Sequence, residues 1–184
     1  WLGGLLDGTK EISGLKVDQD LRWELLTGLV IGGAAGEKEI AKELASDNTA
    51  GGQKFAAACR AAIPSAEAKA EAWRVLTETE DYSNTLVNSA SLAFGRVNDL
   101  SLLEPYAKAY MDVALRIWNE RSYHIASYLL TNLYPIQLAN DGLKGLTEQL
   151  IASPEVAEKP ALRRVLVENL AGLERGLKAQ LADA

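Results

Sequence analysis

Cysteine and histidine are almost absent from this chain of 184 residues, in which Cys59 and His124 each stand alone. One thiol forms no intrachain disulfide, which suits a reducing or an indifferent compartment. One imidazole excludes every site within a single chain that needs two, including the His-Glu-x-x-His helix of zinc peptidases. Long apolar runs are lacking as well. The longest weakly polar stretch, residues 25–36, breaks into glycine after Ile31 and is too short to span a bilayer. No segment alternates apolar and polar residues, so the strand signal is missing. Glycosylation acceptors are missing too, because Asn84-Thr85-Leu86 and Asn88-Ser89-Ala90 both fail the spacing. An excess of positive charge is also lacking. A net charge of −6 and a pI near 4.9 argue against a nucleic-acid-binding surface.

What remains is an ordinary globular composition, 48% hydrophobic and 24% charged. A chain of this size buries roughly 70% of its unfolded surface, enough to fold without a metal or disulfide staple. It opens Trp1-Leu2-Gly3-Gly4, with no initiator methionine, charged leader or cleavage pattern, and reads as a piece of a longer protein. A cytoplasmic location is the default expectation.

The hydrophobic period is helical nearly throughout. Asp18 is a good N-cap for a helix with Leu21, Leu25 and Leu29 on one stripe, widened by Leu26 and Val30 and closed by the glycines at 32, 33 and 36. A shorter helix places Ile40, Ala41 and Leu44 on one face and Glu37, Lys38, Lys42 and Glu43 on the other. Asp47-Asn48-Thr49 caps an alanine-rich helix that Pro64 stops, and Ser65 caps the next. In the second half the stripes are Leu86 to Val97, then Leu103 to Ile117, then Ile125 to Ile136. Shorter helices follow Asn140 and Ser153-Pro154. The last helix, from Pro160, carries Leu162, Leu166, Leu170, Leu173, Leu177 and Leu181. Amphipathic helices joined by short turns predict an all-α array of antiparallel helical hairpins, a HEAT-like α-solenoid. Residues 1–16, with scattered glycines, are expected to be a linker or the end of a preceding domain, and residues 17–184 the helical domain proper.

Candidate chemistry is sparse. Cys59, among alanines, is expected to be a small buried hydrophobe. His124, at a helix start, is expected to be structural or on the surface. Glu78, Glu80 and Asp81 form an acidic patch best explained as solvated. The glycines before Glu37 lack the Gly-Lys-Ser/Thr ending and the preceding strand of a phosphate loop. Tyr106, Tyr110, Trp118, Tyr123, Tyr128 and Tyr134 cluster in one stretch; core packing between two long helices explains most of them, and some of the tyrosine hydroxyls could instead line a groove. Arg163, Arg164, Arg175 and Lys178 lie off the leucine stripe of the last helix, where they are either a solvated face or contacts for an anion or a peptide carboxylate. Two other classes of function fit the same pattern: a stand-alone helical scaffold for a protein or peptide partner, and a small-molecule-binding bundle, which would need an apolar pocket.

Several passages together carry a family resemblance. They are Asp20-Leu21-Arg22-Trp23, Glu39-Ile40 with Glu43-Leu44, Asp47-Asn48-Thr49, and the run Ser65 to Trp73. Near the end stand Leu162-Arg163-Arg164-Val165-Leu166 and the run Gly172 to Gln180. This pattern resembles the C-terminal, endoplasmic-reticulum-aminopeptidase-like helical domain of bacterial aminopeptidases N, which are gluzincin zinc metallopeptidases. The resemblance implies a parent enzyme that removes N-terminal residues from peptides. Its zinc would be held by His-Glu-x-x-His and a downstream Glu, and a Gly-x-Met-Glu-Asn motif would hold the substrate amine. Neither motif occurs here, and Met111 lies in Tyr110-Met111-Asp112. The resemblance therefore implies that this chain holds no catalytic residue, metal ligand or cofactor, and that zinc belongs to an upstream catalytic domain. The partners implied are that domain, over which the helices pack to wall a chamber, and the peptide substrate. Neither nucleic acid nor membrane is among them.

Overall fold

The helical period becomes eleven α-helices and two 3-10 turns, with no strand, in the computed structural model, which describes residues 1–182. In order the helices are α1 (Leu2–Asp7), α2 (Gln19–Ile31), α3 (Glu37–Ser46), α4 (Ala50–Ala62), α5 (Ala66–Glu78), α6 (Asn84–Phe94), α7 (Glu104–Glu120), α8 (Tyr123–Asn132), α9 (Asp141–Ile151), α10 (Pro154–Ala157) and α11 (Pro160–Ala182). Their starts are chemically marked. The side chains of Asp18, Thr49, Ser65, Ser83, Ser122, Asn140 and Ser153 each accept a hydrogen bond from a first-turn N–H that the helix cannot satisfy itself. Gly33, at φ 71°, supplies the left-handed residue that ends α2. None of these helices is long and apolar enough to cross a membrane.

The chain divides into two units, Trp1–Asp99 and Leu100–Ala184. In the first, α4 lies against α2, α3, α5 and α6; in the second, α7 meets α8 and α9, and α11 meets α8 and α9. Within the units, α2, α4, α7 and α9 each pack on the next helix and on the one after, which is how stacked hairpins of a solenoid bury their apolar faces.

Packing on several sides shifts the buried faces from the simple stripes. In α2 the buried residues are Trp23, Leu25, Leu26, Thr27 and Val30, while Leu21 and Leu29 are only half-buried. Trp23 is fully buried, stacks on Phe55 at 5.9 Å and donates Nε1–H to Asp47 Oδ2 at 2.8 Å. In the C-terminal unit, Ile136 and Leu181 are exposed although both sit at stripe positions.

Glu43, expected on the solvated face of α3, is instead 5% exposed. Arg22 grips it with two parallel bonds, Nε to Oε1 at 2.8 Å and Nη2 to Oε2 at 2.7 Å, and Gln19 adds a third at 2.8 Å. The remaining guanidinium nitrogen, Nη1, donates to Leu6 O, so one arginine ties α1 to α3. These hydrogen bonds, Arg22 first, hold the Glu43 carboxyl below its ordinary value of 4.5 against the opposing effect of burial. The unfolded chain therefore binds this proton more tightly. The stability from Glu43 is present above about pH 4.5 and is lost as pH falls through the depressed folded value. Replacing Arg22→Gln is expected to cost about 2 kcal/mol at pH 7, less than a fully buried pair because Arg22 touches solvent. In urea unfolding that difference shrinks as pH falls below about 4.5 and vanishes once pH has passed through the depressed folded value.

Candidate functional site

The basic residues that stood off the leucine stripe all lie on α11, and Arg163, Arg164, Arg175 and Lys178 are all exposed. By helical geometry Arg164, Arg175 and Lys178 fall within an arc of ~60° along about 21 Å, with Arg163 roughly 60° beyond Lys178. Arg164 Nε lies 3.2 Å from Glu168 Oε1, one turn ahead on its own helix. Across the neighbouring helix pair, Lys144 of α9 reaches Glu174 at 3.2 Å. The result is a cationic stripe interleaved with carboxylates. It can follow an extended acidic surface, but it does not converge on a single anion.

The other expected candidates separate. His124 is exposed at the second residue of α8, edge-on to Tyr123 at 5.9 Å, and Tyr123 is itself 57% exposed. Cys59 is buried, its thiol pushed up by desolvation, with Sγ 3.3 Å from Thr27 Oγ1. A thiol held protonated this way is a poor nucleophile. Glu78, Glu80 and Asp81 are exposed around the end of α5. Among the described residues no group of three His, Cys, Asp or Glu gathers as a metal cage. The donor set does not fit a catalytic zinc, which takes histidine-rich ligands, because its one imidazole faces solvent beside aromatic rings.

The tyrosine-rich stretch is core, as expected, at Tyr110 and Tyr134, which meet edge to face at 5.3 Å. Tyr110 OH donates to Leu130 O at 2.6 Å, and Asn169 Nδ2 donates to both that hydroxyl and that carbonyl. Tyr134 OH shares a hydrogen bond with Thr147 Oγ1 at 2.8 Å. Complete burial drives the Tyr110 phenol pKa upward, so this network stays neutral and serves to join α7, α8, α9 and α11.

One polar group escaped the sequence reading. Lys69 has no solvent exposure, and its Nζ donates to Ala61 O at 2.6 Å and Phe94 O at 2.7 Å. It sits 5.1 Å from the Phe94 ring centroid. The two carbonyls end α4 and α6, where helix dipoles are negative and acceptors lack intrahelical donors. The signal was available: Lys69, Trp73 and Leu76 follow the i, i+4, i+7 spacing of one buried face.

Comparison with known proteins meets the resemblance drawn from the helix-packing passages. A family model described as the ERAP1-like C-terminal domain matches residues 1–175. Aminopeptidase N of Streptomyces lividans is 39% identical over 184 residues, which is all of this chain and 21% of that protein. The chain thus spans about one fifth of the curated relative it matches.

Proposed function

We propose, on the premise that this chain belongs to the ERAP1-like C-terminal domain family, that it is the non-catalytic helical cap of a zinc aminopeptidase that removes N-terminal residues from peptides. The cap is the helical domain of residues 17–184, and residues 1–16 are a linker or the end of the preceding domain. The upstream catalytic domain carries the zinc, the general base and the amine-binding glutamate, and the peptide reaches them through a chamber that these helices wall. A stack of hairpins suits that task, since rigid helical layers admit short unfolded chains and exclude folded proteins. Arg163, Arg164, Arg175 and Lys178 are assigned as contacts for anionic groups of the peptide or of the catalytic domain. The parent works in the cytoplasm.

The observation that carries this reading is 39% identity to an aminopeptidase N along the entire chain. A chain with one exposed imidazole and a protonated buried thiol also supports placing the chemistry elsewhere. The test is an aminoacyl-arylamide assay on the 184-residue chain and on its parent. The chain alone is expected to be inert, and the parent to cleave the substrate and lose that activity to a chelator. Turnover by the chain alone would overturn the division of labour.

A further inference from the structure

Alanines do more in the N-terminal unit than let helices approach. Ala57 and Ala61 on α4 and Ala68 and Ala72 on α5 form two i, i+4 pairs. Together with Ala90 of α6 and Leu76 they line a cavity of about 270 Å³. Five truncated side chains leave this space as an apolar recess open to solvent on one side, and an occupant would take its apolar walls out of water. A sealed apolar cavity of about 150 Å³ accepts benzene, so the recess has room for one ring. Polar groups stand at the rim only. Arg60 spends Nε and Nη2 on Glu37, the closest contact being 2.7 Å, and Glu71 is bound by Arg74 at 2.8 Å. With both carboxylates matched by guanidinium groups, the rim offers no net charge to a charged head. Tyr82 lines the same rim, and its hydroxyl makes no hydrogen bond among the described residues.

We propose that this cavity is a binding site for a small uncharged amphipathic molecule, a single ring bearing one hydroxyl, with the ring among the alanines and the hydroxyl at Tyr82. The volume accommodates one ring with a short substituent, and the walls supply only dispersion and hydrophobic contact. The sequence left a ligand-binding bundle open pending an apolar pocket, and this is such a pocket. The proposal stands independently of the peptidase assignment.

The test uses p-cresol as probe and the 184-residue chain labelled with ¹³C at the alanine methyls. Saturable shifts are expected at Ala57, Ala61, Ala68, Ala72 and Ala90, with half-saturation at about 1 mM or below. Ala72→Phe, which places a ring in the cavity from a partly exposed position, is expected to weaken binding at least tenfold. Ala68→Leu serves the same purpose should the first variant fail to fold. Tyr82→Phe is expected to weaken p-cresol several-fold and to leave toluene unchanged. Absence of saturation, shifts scattered over other alanines, or unaltered affinity in a folded filled-cavity variant would overturn the proposal.

Discussion

Gly52→Ala is expected to destabilise the N-terminal unit by about 3 kcal/mol, against the usual gain from replacing a helical glycine. Gly52 is the third residue of α4, and a Cβ there would run into the backbone oxygen of Asp47. That backbone has little freedom to retreat. Asp47 Oδ2 accepts from Trp23 Nε1 at 2.8 Å, and Oδ1 accepts from Thr49 Oγ1 at 2.7 Å. Thr49 in turn caps α4 by accepting from Gly52 N at 3.1 Å. Pushing Asp47 outward therefore loosens the indole of a fully buried tryptophan and a helix cap together. Gly51→Ala, one residue earlier, is the internal control. Its Cβ would meet only Thr49 Oγ1 at an ordinary 3.5 Å, so the propensity gain should survive. Thermal melts should move in opposite directions, down by about 6–12 °C for Gly52→Ala and up by about 2–4 °C for Gly51→Ala. A neutral Gly52→Ala would mean that the turn at residues 47–49 yields freely.

Lys69→Met should cost about 2–3 kcal/mol at pH 7. The variant keeps most of the buried stem but leaves Ala61 O and Phe94 O without their charged donor, and the relief of an ammonium's desolvation offsets only part of that loss. The pH dependence separates this role from plain packing. Burial lowers the folded ammonium from 10.5 to about 8. Below about pH 8 both states carry the proton, and the folded state bears the full desolvation cost. Between pH 8 and 10.5 the folded lysine gives up its proton first, so unfolding takes one up and stability rises with pH. The neutral amine still has two hydrogens for its two carbonyls. Relative to Lys69→Met, the wild-type chain should gain up to about 3 kcal/mol across that window in urea unfolding. Comparing the two proteins cancels the other lysines and tyrosines that titrate there. A constant difference from pH 7 to 10 would show that the ammonium is not desolvated in the folded chain.

Lys69 and Glu43 show where residue type and helical spacing point in opposite directions, since the spacing puts both on buried arcs. The Lys69 and Glu43 charges occupy buried arcs of α5 and α3, yet a pattern reader assigns lysine and glutamate to solvent because an isolated helix would put them there. What holds them inside comes from other elements: carbonyls ending α4 and α6 for Lys69, and Arg22 of α2 for Glu43. The basic residues of α11 lie off its apolar stripe and are exposed, since a single helix is enough to define its own outer face. How far apart three of them lie along that face also follows from helix geometry alone.

The helices, most of their caps and their all-α packing were determined by the linear order of residues, because period, N-cap chemistry and glycine or proline stops act within a turn or two of one helix. So was the family, whose passages are runs of contiguous residues. Which face of α2 is innermost, which charges are buried, why Gly52 admits no side chain, and where alanines leave a cavity were decided only by the folded chain. Most of these depend on atoms more than twenty residues away, such as Arg22 on Glu43, Phe94 O on Lys69 and the Trp23 indole that holds Asp47 against Gly52, which packing brings within a few ångströms.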